Sequence, residues 1–416
     1  MTGNELIGCH DCGLLQRLPA VPASGVASCT RCGSVLYRRK PHGVERALAL
    51  TAAGLILFVI ANSFPFLVLE MRGQMTQVTL YGAAGAILDQ GMPSIAALVF
   101  ATSVMAPFLL LMLLLALLAP LRGGAVPTFA PFLARLLPRL TPWVMIEVFA
   151  LSILVALVKL TNMADVLLGV SLYAIFGLMF VLSATLSNLD LHDVWERIAP
   201  AFPFRDPSPV DVRPILCHTC GLLNAPDVET TGGRCRRCRD DLHPRKPNSI
   251  QRTWALVIGA MVCYLPANMM PIMISGYGGW YRSDTIMEGV IYMLLYDSWV
   301  LAVIIFVASV LVPLTKILIL LYLLISVRMR SRWRPQDRTR LYRITEIIGK
   351  WSMVDIYVVT IMAALVNLGN FGFVRAGLGA IFFGAVVVLT MIAAMSFDPR
   401  LIWDAAERNY GATASS

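Results

Sequence analysis

The stretch Cys9-His-Asp-Cys-Gly-Leu-Leu15 and its near copy Cys217-His-Thr-Cys-Gly-Leu-Leu223 decide how this chain is read. Two knuckles of one design, 208 positions apart in a chain of 416 residues, point to a duplicated unit. Each is followed by a second knuckle, Cys29 with Cys32 and Cys235 with Cys238, after intervals of 16 and 14 residues. In a CxxC knuckle two thiolates converge on one ion, and two knuckles joined by a short hairpin close a tetrahedral site. The spacing is that of a zinc ribbon. Cys9, Cys12, Cys29 and Cys32 are therefore the candidate ligands of one Zn²⁺, and Cys217, Cys220, Cys235 and Cys238 those of a second. An iron site of rubredoxin type has the same spacing, so the metal's identity stays open. Thiol redox chemistry fits less well, because four cysteines in two pairs, twice over, form a metal pattern. His10 and His218 lie inside knuckles as alternative ligands or solvated loop residues. These small modules hold few apolar residues, so bound metal would supply most of their folding free energy.

Outside the knuckles the chain is apolar. Hydrophobic residues make up 57% and charged residues only 14%, with a mean hydropathy of +0.71, values that suit a chain whose solvent is largely lipid. The net charge of +9 would suit nucleic acid if it were spread over a soluble surface. Its distribution instead follows membrane topology. No removable signal peptide is expected, since the first apolar run starts only near Ala47 and is too long for one.

Eight stretches are long and apolar enough for membrane spans, which need about 20 residues. Five carry no charge: Ala47 to Leu69, Gln90 to Leu121, Val166 to Leu189, Thr253 to Tyr281 and Ala376 to Phe397. Ser298 to Val327 contains Lys316, Trp351 to Val374 contains Asp355, and Leu140 to Thr161 contains Glu147 and Lys159. With the N-terminus in the cytoplasm, cytoplasmic segments hold 29 of the 34 Lys and Arg residues. The opposite side holds Arg72, Lys159, Arg282 and Arg375, as the positive-inside rule expects. The densest basic run, Arg328 to Arg343, falls between spans six and seven.

The halves align throughout. Asn62-Ser-Phe-Pro65 matches Asn268-Met-Met-Pro271, Lys40-Pro41 matches Lys246-Pro247, and Pro107 matches Pro313. Further on, Trp143-x-Met-x-Glu147 matches Trp351-x-Met-x-Asp355, and Asp190 and Trp195 match Asp398 and Trp403. Four spans return the chain to its starting side, so the repeats are parallel and both ribbons face the cytoplasm. The expected fold is an α-helical polytopic membrane protein of two parallel four-helix repeats, each preceded by a small cytoplasmic zinc ribbon. Its units are residues 1–40, 41–205, 206–246 and 247–416.

Lys316 is the residue to single out. It lies deep in span six, three positions after Pro313, where a charge is costly, and the matching position in the first half is Leu110. Snorkelling to the cytoplasmic side would have to cover ~17 Å with a stem of ~6 Å. Asp355 is a candidate partner, and Thr390 a hydroxyl in reach of the same route. Glu147 and Asp355 sit near helix N-termini, where the macrodipole alone favours an acid. Lys159 and Asp165 flank a short external turn. In the Asn-x-x-Pro pairs, Asn62 with Pro65 and Asn268 with Pro271, proline frees carbonyls and asparagine can bond across helices. They mark either broken helices at a transport site or plain kinks. Gln74 to Tyr81 alternates as a strand would. Walker, GxSxG and HExxH motifs are absent, and an enzyme is not expected.

The tandem of ribbon plus four spans, the CHxCGLL openings, the paired Asn-x-x-Pro and the FDPRLIWD ending (Phe397 to Asp404) resemble the paraquat-inducible protein A family. The second ribbon departs from the pattern, because its last knuckle reads CRRCRDDL, without the glycine that follows Cys32. The resemblance implies a bacterial inner-membrane protein with zinc in each ribbon, working with a periplasmic tunnel of stacked MCE domains that carries phospholipid. It also implies a polar cluster on the transport route, here Lys316, Asp355 and Thr390, with Asn62, Pro65, Asn268, Pro271 and Pro313 shaping it. The expected function is a lipid transport subunit. The alternative is a scaffold that moves no lipid and recruits cytoplasmic partners through its ribbons.

Overall fold

In the computed structural model, residues 6–407 are described, apart from 19–20, 23–24, 39, 41, 72–73, 162–164, 200–213, 225–232, 278–279, 296–298 and 367–371. Pro41 and Arg72 of the sequence reading thus lie outside the described residues. Wherever the chain holds enough apolar residues in a row, the backbone satisfies its own hydrogen bonds as helix, the only economical solution in lipid. Among the described residues, eight helices are long and apolar enough to cross a membrane: Gly43–Ser63, Pro93–Arg122, Ala130–Leu160, Val170–Asn188, Ser249–Met269, Ala302–Arg328, Pro335–Leu365 and Leu378–Ser396.

The N-terminal ribbon comprises β1 (Leu6–Gly8), β2 (Leu15–Arg17), β3 (Val26–Ser28) and β4 (Val35–Arg38). The first helical unit follows with α1 (Gly43–Ser63), β5 (Leu67–Met71), β6 (Gln74–Val78), α2 (Leu80–Asp89), α3 (Pro93–Phe100) and α4 (Ala106–Arg122). It ends with α5 (Ala130–Leu140), α6 (Ile146–Thr161), β7 (Asp165–Leu168), α7 (Val170–Asn188) and α8 (Leu191–Ile198). The second copy restarts with β8 (Ile215–Leu216) and β9 (Leu223–Asn224), then α9 (Ser249–Met269), β10 (Met273–Tyr277), β11 (Trp280–Asp284) and α10 (Ile286–Leu295). It closes with α11 (Trp299–Phe306), α12 (Val312–Arg328), α13 (Pro335–Ile348), α14 (Val354–Leu365), β12 (Gly372–Ala376), α15 (Leu378–Ser396) and α16 (Leu401–Glu407).

Several boundaries differ from the sequence reading. Leu67 to Leu69, Val166 to Leu168 and Met273 to Tyr277 were expected inside spans, yet they are strands. Two three-stranded antiparallel sheets result, ordered β6-β5-β7 and β11-β10-β12, at the span ends opposite the ribbons. Leu67 pairs with both Val78 and Leu168, and Met273 with both Asp284 and Ala376. An unbroken apolar run carries no periodicity, so hydropathy alone cannot separate these strands from the helices that precede or follow them. Of the strand expected over Gln74 to Tyr81, Gln74–Val78 is present as β6, while Thr79 caps α2 and Leu80 and Tyr81 already belong to it. The third span begins at Ala130 rather than Leu140 and bends at a 3₁₀ turn, Thr141–Trp143, where Pro142 lacks an amide donor. The seventh begins at Pro335 and ends at Leu365, with its own 3₁₀ turn at Gly349–Met353.

Pro65 and Pro271 do not break helices. They stand just beyond α1 and α9, and their carbonyls lie where a side chain on Gly169 or Gly377 would have to go. Asn62 and Asn268 donate to Phe58 O and Tyr264 O of their own helices, at 2.9 and 2.8 Å, not across helices. Spans two and six are instead interrupted by π-helical turns, Ala101–Met105 and Val307–Leu311, each followed by a proline that opens the next helix, Pro107 and Pro313. Span seven is the centre of the molecule: every residue of α14 is buried, and it packs against α6 and α2 of the first repeat.

Candidate metal centres and a buried polar cluster

The four sulfurs of each tetrad lie within 4.8 Å of one another and all are buried. Cys9 Sγ is 3.5 Å from Cys32 Sγ and Cys12 Sγ 3.6 Å from Cys29 Sγ, with 3.5 Å for both Cys217–Cys238 and Cys220–Cys235. A tetrahedral site with bonds of ~2.3 Å requires sulfurs ~3.8 Å apart. None of the eight is in a disulfide. The tetrads therefore have the donors and the convergence to hold one metal ion each. All four knuckles share one backbone. The amide of the first cysteine donates to the residue five positions on, as Cys9 does to Leu14 O (2.9 Å), and the residue after the second cysteine returns to the first cysteine's carbonyl. That returning residue is left-handed: Gly13 (φ 77°), Gly33 (φ 70°) and Gly221 (φ 70°). In the fourth knuckle Arg239 adopts the same geometry at φ 59°, so the missing glycine costs strain of ~1 kcal/mol but not the turn. His10 and His218 are exposed and belong to neither tetrad.

Inside the membrane, Lys316 is 3% exposed and does not snorkel. Its Nζ has no hydrogen-bond partner among the described residues and lies against Gly349, where a Cβ would come within 2.8 Å of it. Two more buried groups without partners lie on adjoining elements: Ser309 Oγ in the second π turn and Ser352 Oγ in the Gly349–Met353 turn. That π turn, α12 and α15 all pack on the Gly349–Met353 turn. Thr390, on α15 and buried, donates to Val387 O at 3.0 Å. Buried polar atoms normally find partners. Here the duplication supplies a control: the positions matching Lys316, Ser352 and Thr390 are Leu110, Val144 and Leu182, all buried and apolar. Ser309 matches Ser103, which is satisfied by Val99 O at 2.7 Å. Ser309 and Ser352 were missed from sequence because lone serines are ordinary in membrane helices; comparing the halves position by position would have exposed Ser352.

Asp355 does not meet Lys316. The cation whose field reaches its carboxylate is Lys159 of the first repeat, which also faces Asp284 at the end of β11. Six positions along a helical segment turn Asp355 to a different face from Gly349, toward α6 and the seam between repeats. Asp284 is in turn bound by Arg282 Nε at 2.6 Å. Glu147, the counterpart of Asp355, accepts from Ser183 Oγ at 2.6 Å.

Eight membrane-crossing helices in two copies, each copy headed by a four-cysteine centre, define a duplicated multi-pass membrane protein rather than a soluble zinc-finger protein. The sequence profile of paraquat-inducible protein A matches residues 44–199 and 250–407, and the chain belongs to that family. It is 31% identical over 399 residues, 96% of this chain and 91% of the relative, to lipophilic envelope-spanning tunnel protein A of Escherichia coli K12. It is likewise 31% identical over 402 residues, 95% of each chain, to intermembrane transport protein PqiA of the same strain. A probable intermembrane transport protein of Haemophilus influenzae is 27% identical over 412 residues, 97% of each chain. No solved structure matches the chain.

Proposed function

We propose that this protein passes phospholipid between the bacterial inner membrane and a periplasmic tunnel protein built of MCE domains. The observation that carries the reading is the unpartnered ammonium of Lys316, buried beside Gly349 where the first repeat has Leu110. A buried amine without a partner is held for something that arrives: charged, it can pair with a phosphate headgroup, and neutral, it can accept a transferred proton. Ser309, Ser352 and Thr390 put hydroxyls on the elements that meet at the Gly349–Met353 turn, and Lys159 with Asp355 would form a second polar step at the seam between repeats. Pro313 contributes by starting α12 where the π turn ends; Asn62, Pro65, Asn268 and Pro271 act by ending α1 and α9 on the sheet side. The relatives' names, which speak of intermembrane transport and an envelope-spanning tunnel, support this reading. In it the ribbons and both termini face the cytoplasm and each tetrad holds one Zn²⁺, whose chemistry there is structural: it ties two hairpins into a fold too small to hold itself. No enzymatic role is assigned.

The test is lipid transfer from labelled proteoliposomes containing the protein and its tunnel partner. Lys316→Ala is expected to keep its fold and metal while transfer falls at least tenfold, equal to ~1.4 kcal/mol. Transfer at the parental rate would remove Lys316 from the route, and no transfer by the parent would favour the scaffold.

A further inference from the structure

The stem of each ribbon is anchored to its own repeat. Arg38 N donates to Asp190 Oδ2 at 3.1 Å, and Lys246 N to Asp398 Oδ2 at 3.0 Å; the two carboxylates are equivalent and the donors lie two positions apart in the aligned stems. The knuckles reach the other way. Arg31 of the first ribbon stacks 4.3 Å over Trp403 of α16, and the equivalent Arg237 lies 5.9 Å over Trp195 of α8. Gln336 of α13 donates to Arg31 O at 2.8 Å, and Arg139 of α5 to Asp240 of the second ribbon at 3.3 Å. Cys9, Cys12, Cys29 and Cys32 share an apolar cluster with Ile317, Leu320, Tyr342 and Trp403 of the second repeat. Each cysteine tetrad is thus seated on helices of the opposite copy, while His218 of the second ribbon also meets Arg400 of its own copy at 2.9 Å.

The two centres differ in what reaches their sulfurs. Arg343, in α13 of the second repeat, crosses to the first ribbon and pairs with Asp11 Oδ2 at 2.6 Å. It also donates to Cys32 O at 3.2 Å and to Cys32 Sγ at 3.3 Å. Four thiolates around a divalent ion leave a net charge of −2, which burial makes costly unless donors and cations offset it. At the second centre the matching Arg135 leaves its Nε without a partner, and Thr219, in the place of Asp11, bonds Asp240 of its own ribbon. The sulfur contact there comes from Asn224 of the same ribbon, to Cys235 Sγ at 3.6 Å.

We propose that the metal centres are cross-braces between the two repeats, and that Arg343 completes the first centre as a positioning residue donating to the Cys32 sulfur. Metal in the first ribbon then holds α13, the cytoplasmic part of the span that carries Gly349 and Asp355. By linkage, the docking of α13 holds the metal. The inference rests on reading the tetrads as metal centres, so metal content is counted first; a parent protein that binds no zinc ions would overturn both.

The test uses the full chain in detergent, loaded with zinc ions and challenged with excess chelator and an alkylating agent. Mass spectrometry then reads the Cys9–Cys32 and Cys217–Cys238 peptides separately. Arg343→Gln is expected to expose the first tetrad about 10–100-fold faster, the usual effect of losing a partner of a metal ligand, with the second unchanged within about twofold. Arg343→Lys should fall between, and Arg135→Gln should alter neither tetrad. Equal rates for Arg343→Gln and parent, or equal acceleration at both tetrads, would overturn the proposal. Hydrogen exchange provides the second arm. Loss of the first metal should raise exchange in α13 and α16 rather than in α8; exchange confined to the first repeat would overturn the brace.

Discussion

At the scale of single residues, Lys316 is held by an exchange of side chains between two copies of one design. Leu110, Val144 and Leu182 fill the first copy's interior with carbon, and the second copy puts an ammonium and two hydroxyls at those places, with Gly349 where the first has Thr141. Removing the side chain at 349 makes room for the Lys316 head. Gly349→Ala tests this directly. Its Cβ would sit 2.8 Å from Nζ, and the end of a flexible side chain moves aside cheaply. The expected outcome is a fold destabilised by ~1 kcal/mol or less and a loss of lipid transfer of about tenfold, read by thermal unfolding and proteoliposome assay on the same preparation. Unchanged transfer would show that the position of the ammonium does not matter. Lys316 was legible in the sequence because a charge in an apolar run stands out. Its neighbours were not, because which hydroxyls lack partners depends on what packs over them, and the pairing expected with Asp355 failed on helical phase alone.

At the scale of elements, the sheets join the repeats as much as the helices do. Gln90, at the C-terminal end of α2, reaches β12 of the other repeat and makes both hydrogen bonds a strand would make there: Nε2 to Val374 O at 3.2 Å and Oε1 from Ala376 N at 3.0 Å. One amide side chain thus serves an edge that would otherwise be open. Gln90→Ala is expected to destabilise the protein by about 1–3 kcal/mol, since it strands an amide and a carbonyl away from water. Thermal unfolding in detergent checks it, and a shift no larger than that of an exposed alanine substitution would show the clasp to be idle. Gly377 makes a second close contact in the same region, below the Pro271 carbonyl, and Gly377→Ala should cost more than Gln90→Ala because backbone, not a side-chain end, is in the way. The strands themselves were hidden in the sequence. Leu67, Val166 and Met273 stand in unbroken apolar runs continuous with helices, where neither a period of 2 nor one of 3.6 survives to be read.

At the scale of the whole molecule, the two halves are neither independent nor simply side by side. α14 of the second half is enclosed by α6 and α2 of the first, and each ribbon sits on the opposite copy. Ligands that bind only the folded state raise stability by mass action. Stripping both metals should therefore lower the unfolding midpoint of the whole chain, with the shift growing as free zinc falls. A midpoint indifferent to chelator would mean that the ribbons unfold without loosening the helices. The duplication, the span number and the two tetrads were all determined by the sequence itself. They depend on composition, spacing and charge counts that no packing can change. Which copy each ribbon rests on, which carboxylate faces which lysine, and which hydroxyls stay unpaired were decided only by the tertiary structure. Two copies of one sequence pattern can pair within themselves or across each other with the same local propensities, and only contact between distant surfaces chooses between them.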